Sequence, residues 1–190
     1  MDALTHQQKD TLLTLARNAI GRRLGLSERE VKGGTQSLSQ SLACFVTLKV
    51  EGELRGCVGT LEPRYPLWQG VQRMAVAAAF EDGRFAPLSL DEWSQVKVSI
   101  SILTPSEPLA VSSEAELLQN LRPGEDGLTL DFGRNHATFL PAVWETLPKP
   151  KAFVTQLKRK AGLDSEFWSD EIQWFRYHSI SFSEPLPGSL

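Results

Sequence analysis

Two cysteines in 190 residues, Cys44 and Cys57, are too few for a disulfide framework, and no Cys-x-x-Cys pair offers a zinc or redox site. Long apolar runs are missing too. The longest, Met74 to Phe80, falls far short of the ~18 residues that a membrane span requires. The first residues carry Asp2 early and hold no continuous apolar stretch followed by small side chains, so no signal peptide is expected. Charge of one sign is equally scarce: 20 lysines and arginines against 23 aspartates and glutamates leave a formal net charge of −3. That balance gives no basic footprint for nucleic acid or an anionic membrane. The three histidines, His6, His136 and His178, are scattered without ligand spacing, so no metal site is expected. Walker and dinucleotide loops, a Gly-x-Ser-x-Gly elbow and internal repeats are all missing. These absences point to a cytoplasmic protein with free thiols and no cofactor.

What is present is an ordinary folded chain, 41% apolar and 23% charged. At roughly 100–200 residues per domain, residues 1–190 read as one domain with a smaller lobe inserted in it.

Leu12, Leu15, Ala16, Ala19, Ile20 and Leu24 recur at helical intervals, with Gly25 at a C-cap position. A polar loop follows. Ala43 to Val50 is rich in β-branched and aromatic residues, Glu51-Gly52-Glu53 reverses the chain, and Leu54 to Thr60 runs back, so a hairpin is expected. Pro66 suits the first position of a helix running through Val71, Met74, Ala75, Ala78 and Ala79 to Asp82-Gly83. Ser89 to Trp93 reads as a capped helical turn, and Val96 to Leu103 alternates as a half-buried strand. Further on come a helix near 113–121, a second hairpin with Gly133 to His136 as its turn, helices near 141–146 and 151–162, and a strand from Ile172 to Phe182. Hairpins without regular strand–helix alternation give the class α+β. The basic residues Lys149, Lys151, Lys158, Arg159 and Lys160 read as a solvated helix face.

The sharpest local oddity is Leu54-Arg55-Gly56-Cys57-Val58-Gly59. Glycine inside a strand weakens it and marks a bulge or a close backbone approach. Arg55 and Cys57 fall on one face by strand alternation, and a guanidinium near a thiol favours the nucleophilic thiolate. Cys57 is therefore a candidate nucleophile and Arg55 its charge stabiliser. The bland alternative is an inert thiol with glycines that serve packing. Asp82 and Arg84 have two readings as well: Arg84 joins Arg55 as an anion-binding fork, or the pair ties its loop to the hairpin. His136 is a candidate proton-transfer group if its turn lies near the site.

The hexapeptide at 54–59, the Asp-x-Arg-Phe-x-Pro segment met by Asp82, Arg84, Phe85 and Pro87, and the later Pro-Gly-Glu-Asp-Gly-Leu at 123–128 form an ordered set. With Leu140-Pro141, Lys160 to Leu163 and Trp168 they resemble the AMMECR-type domain family, whose bacterial and archaeal members are called AmmeMemoRadiSam system protein A. Val58 replaces the family's isoleucine. The resemblance implies a two-lobed α+β domain with antiparallel sheets flanked by helices and a cleft between the lobes. It brings no established reaction, but it implies Memo-like and radical-SAM proteins as partners. Two functions follow as expectations. One is binding of a small anionic or carbonyl-bearing molecule by Arg55, Gly56, Cys57, Gly59, Asp82 and Arg84. The other is a non-catalytic adaptor that docks a Memo-like or radical-SAM protein.

Overall fold

The structure, a computed structural model, describes residues 4–185. The chain forms two compact units: one takes the described residues up to Leu103 and those from Ile180 onward, the other is Thr104–Ser179.

In the first unit, α1 (His6–Arg23) starts at a capping box, in which the Thr5 hydroxyl accepts from the Gln8 N–H while the Gln8 side chain accepts from the Thr5 N–H. Gly25, at φ +77°, closes its far end, and Leu26 N–H donates to the Gly21 carbonyl. β1 (Cys44–Val50) and β2 (Glu53–Gly59) are joined by Glu51 and Gly52, both at positive φ as a tight two-residue hairpin turn requires. α2 (Leu67–Phe80) begins one residue later than the sequence suggests. Pro66 is drawn into an extended conformation by its bridge to Ser41, so it caps the helix instead of opening it. The helix also stops at Phe80, short of Asp82-Gly83. α3 (Leu90–Trp93) has the expected cap, a reciprocal pair between Ser89 and Glu92.

β3 (Val96–Leu103) and β2 flank β1, each antiparallel to it. Cys44, Val46 and Leu48 of β1 and Val96, Val98, Ile100 and Ile102 of β3 are at most 1% exposed and share a core with α1 and α2. Burying each aliphatic side chain of this kind contributes about 1.5–3 kcal/mol. By the same alternation Phe45, Thr47, Lys49, Lys97, Ser99 and Ser101 lie on the opposite, polar face.

The second unit contains β4 (Glu107–Pro108), α4 (Glu114–Asn120), β5 (Asp126–Phe132), β6 (Asn135–Phe139), α5 (Pro150–Lys160) and most of β7 (Gln173–Ser183). β5 pairs with β6 and β7, and β7 with β4, all antiparallel. The β5–β6 turn is shorter than the sequence suggests. Gly133, at φ +61°, and Arg134 alone make it, so His136 lies in β6 opposite Asp131. β5 also begins two residues before Leu128. The core gathers Leu128 and Leu130 with Phe153, Val154 and Leu157 of α5, and the Trp144 ring stacks on Phe153 at 3.8 Å. The basic run of α5 is not wholly solvated: Lys158 is fully buried, with Glu114 as its ion-pair partner and the Trp168 ring nearby. A buried ammonium needs such a carboxylate.

Candidate functional site

The site grows out of two glycines. A Cβ on Gly56 would stand 2.1 Å from the Ala78 carbonyl oxygen of α2, so β2 and the helix backbone touch there with no room for a methyl group. Ala75, Ala78 and Ala79 supply the small helix face that allows this approach. A Cβ on Gly59 would meet the Phe45 ring at 2.2 Å and the Cys44 carbonyl at 2.6 Å. Neither glycine has a positive φ; both serve close approach.

β2 is the outer strand of its sheet, so alternate backbone groups point away from β1 and lack a strand partner. Asp82 and Arg84 fill that role at Cys57. The Cys57 N–H donates to Asp82 Oδ2 at 2.9 Å, and the Cys57 carbonyl accepts from Arg84 Nη2 at 3.2 Å. The two side chains are locked together, with Arg84 Nε and Nη2 donating to Asp82 Oδ1 and Oδ2 at 2.9 and 2.7 Å. Those bonds from Arg84, and then the Cys57 N–H, hold the Asp82 carboxyl well below the usual carboxylate range. Asp82 in turn raises Arg84. These bonds tie the Asp82–Arg84 loop to the hairpin.

Arg55 is the extra residue of a β-bulge: Leu48 pairs with Gly56 and Lys49 with Leu54, and Arg55 is left unpaired between them. The bulge releases its side chain to α3. Nε and Nη2 donate to Glu92 Oε1 and Oε2 at 2.7 and 3.1 Å, and Nη2 also reaches the Ala86 carbonyl at 2.9 Å. Glu92 Oε2 accepts from the Ser89 N–H and hydroxyl as well. Arg55 first, then Ser89, brings the Glu92 carboxyl down to about 2. Each guanidinium thus grips a carboxylate of its own, Arg55 that of Glu92 and Arg84 that of Asp82.

What this framework presents is the Cys57 thiol. It is half-buried, opposite Thr47 in register, with its sulfur 3.2 Å from Thr47 Oγ1. One step along the same face, Lys49 and Lys97 stand directly opposite each other across β1 and β3. Neither lysine makes an ion pair among the described residues. The other thiol differs in kind. Cys44 is sealed in the core, and burial pushes it up to about 12.

All six residues singled out in the sequence, Arg55, Gly56, Cys57, Gly59, Asp82 and Arg84, belong to the first unit. His136 is exposed in the second, its Nδ1 4.0 Å from Asp131 Oδ2. Sequence reasoning missed Thr47, Lys49, Lys97 and Glu92. The Ser89-x-x-Glu92 cap was visible, but nothing in it told that Glu92 also receives Arg55. Alternation of Lys49 with Leu48 and of Lys97 with Val98 was the available signal for the lysines. Among the described residues no group of three or more His, Cys, Asp or Glu side chains could hold a metal ion. No described helix is long and apolar enough to cross a membrane.

The glycine-framed hexapeptide, clamped by the Asp82–Arg84 segment, coincides with a family match: the AMMECR1 family profile covers residues 13–182. The chain belongs to the AMMECR1 family. A protein of Methanocaldococcus jannaschii is 31% identical, the alignment covering 98% of this chain and 95% of that protein. One from Methanothermobacter thermautotrophicus is 34% identical, over 95% of this chain and 96% of its own. Among solved structures, an uncharacterized protein from Pyrococcus horikoshii matches with a TM-score of 0.74 at 30% identity, covering 94% of this chain and 92% of its own. The α+β fold of antiparallel strands and flanking helices is thus shared with this neighbour of known structure.

Proposed function

We propose that this AMMECR1 domain binds a small anionic or carbonyl-bearing molecule over the polar face of β1, β2 and β3, with the Cys57 thiol as the group that meets it. The observation that carries this reading is the Lys49–Lys97 pair. Like charges directly opposite on a sheet repel, and no protein carboxylate neutralises these two among the described residues. An anion between the ammonium groups relieves the repulsion. Side chains two residues apart on a strand are separated by roughly 7 Å, so a ligand held there places its neighbouring atoms near Thr47 and Cys57. Asp82 and Arg84 support the reading by fixing the Cys57 backbone from the open edge of the strand. On a carbonyl ligand, Sγ adds to the carbonyl carbon as the C=O π bond breaks, and the thiol proton passes to the oxygen, with no oxidant or reductant required.

Alkylation tests it with two probes of similar size. Iodoacetate, an anion, should modify Cys57 at least fivefold faster relative to neutral iodoacetamide than it does a free model thiol. Lys49→Gln together with Lys97→Gln should erase that preference. An unchanged ratio in the wild-type protein overturns the reading.

A second reading, a cytoplasmic adaptor that docks a Memo-like or radical-SAM protein, draws support from Leu54 and Leu90, 41% and 53% exposed, which adjoin Arg55 and α3. Recovery of such a protein with the wild-type chain, lost on Leu54→Ser and Leu90→Ser, is its test. Recovery that survives both substitutions counts against it.

A further inference from the structure

A groove of about 470 Å³ runs along α1 and α2, and its lining is unexpectedly basic. Arg22 and Arg23 enter it from the last turn of α1, and Arg73 from the middle of α2, with Tyr65 and Gln72 beside them. Glu81 is the one carboxylate lining it among the described residues. Three guanidiniums against one carboxylate is a local excess of positive charge in a chain whose formal net charge is −3.

Part of this has an ordinary explanation. Basic residues in the last turn of a helix complement its dipole, which accounts for Arg22 and Arg23. It does not account for Arg73. Arg22 is also paired with Glu28 at 2.7 Å. Arg23 and Arg73, in contrast, make no ion pair among the described residues. Each instead lies over an aromatic ring: the Arg73 guanidinium is 4.6 Å from the Tyr65 centroid and that of Arg23 5.4 Å from Phe80. A guanidinium stacked on a ring is held in place while the N–H donors on its edge stay free. Two such exposed forks line one groove and offer donors to an anion with several acceptor oxygens, and bidentate recognition suits a phosphate group. The volume lies within the range of small-molecule sites, so there is room for an organic portion as well.

We propose that the groove between α1 and α2 is a binding site for a small phosphorylated molecule, with Arg23 and Arg73 as its anion-gripping residues. Tyr65 and Phe80 orient the two guanidiniums, and Gln72 offers a further polar contact along the wall. The site is independent of the lysine pair on the β-sheet face.

Inorganic pyrophosphate is a suitable probe, followed by calorimetry and by amide chemical shifts in the full chain. The wild-type protein should bind it saturably, with shifts centred on residues lining the groove. Arg23→Gln and Arg73→Gln should each weaken binding at least tenfold. Arg64→Gln, an exposed arginine paired with Glu62 outside the groove, should change it less than twofold. Lys49→Gln should also leave it unchanged, which separates this site from the one at Cys57. Absence of saturable binding overturns the proposal. So does binding that survives Arg73→Gln, or binding lost equally with Arg64→Gln or Lys49→Gln.

Discussion

Asp82 in the first unit and Asp126 in the second are both nearly sealed from solvent, both accept a backbone N–H and both lie beside an arginine, yet they are built for different ends. Asp126 Oδ2 takes the Arg122 N–H at 2.7 Å, four residues upstream, which closes a local turn. Its Oδ1 is buried without a hydrogen bond, 3.4 Å from His178 Nδ1, and Arg176 Nη1 stands 4.0 Å from Oδ2. Asp82 instead reaches a strand 25 residues away in sequence, and both of its oxygens are engaged by Arg84. The same residue type thus closes a turn in one unit and stands in for a missing strand in the other. The glycines differ in parallel. Gly56 abuts helix backbone, whereas a Cβ on Gly127 would meet the Tyr177 ring at 2.3 Å. A ring can tilt; the Ala78 carbonyl is helix backbone and cannot retreat without moving the end of α2.

That contrast is broken or sharpened most strongly at the glycines. Gly56→Ala should destabilise by about 3 kcal/mol, at the upper end of overpacking effects, and Gly127→Ala by about half as much. Denaturant melts of the two variants check the ranking, and the reverse order would mean that α2 yields more readily than Tyr177.

Next in size is Arg55→Ala. Because Arg55 holds Glu92 in a bidentate pair, its loss should cost about 2 kcal/mol, and Glu92→Gln should cost less. A loss below 0.5 kcal/mol for Arg55→Ala would show that the bulge needs no anchor.

Acid comes third. Asp82 and Glu92 both have lowered pKa values in the folded chain, so the stability they contribute is complete above their unfolded values of 3.8 and 4.5. It drains as the pH falls below those values, towards about 2 for Glu92 and further for Asp82. Urea midpoints taken between pH 6 and pH 2.5 should fall less steeply in Asp82→Asn and Glu92→Gln than in the wild-type protein. Parallel slopes would contradict the clamp.

The smallest expected effect is Cys57→Ser. Thr47 Oγ1 already lies beside the sulfur and can bond a hydroxyl, so the change in stability should stay within about 0.5 kcal/mol. Cys44→Ser, in the sealed core, should cost about 1–3 kcal/mol for an unsatisfied hydroxyl. Native-state alkylation should likewise modify Cys57 and spare Cys44.

How much of this was legible beforehand depends on the range of the interaction. The Ser89 cap, the Glu51-Gly52 reversal and the alternation of Val96 to Leu103 were all readable, because each is fixed by residues within a few positions of one another. Two boundaries shifted, that of Pro66 through its non-local bridge to Ser41 and that of His136 through a turn of only two residues, Gly133 and Arg134. The hexapeptide and Asp82–Arg84 were visible as oddities whose partners were not.

By itself the sequence determined the α+β class, the position of the hairpins, the family and the prominence of Arg55 to Gly59, since periodicity, turn chemistry and motif order are properties of the chain. Only the tertiary structure decided that Arg55 belongs to Glu92, that Arg84 and Asp82 bind the backbone of Cys57, that Gly56 is excluded from carrying a side chain by Ala78, and that Lys49 faces Lys97. The reason is geometric. A guanidinium suits an internal carboxylate and an external anion equally well, and which one it holds is set by distances across elements that the linear order of residues does not encode.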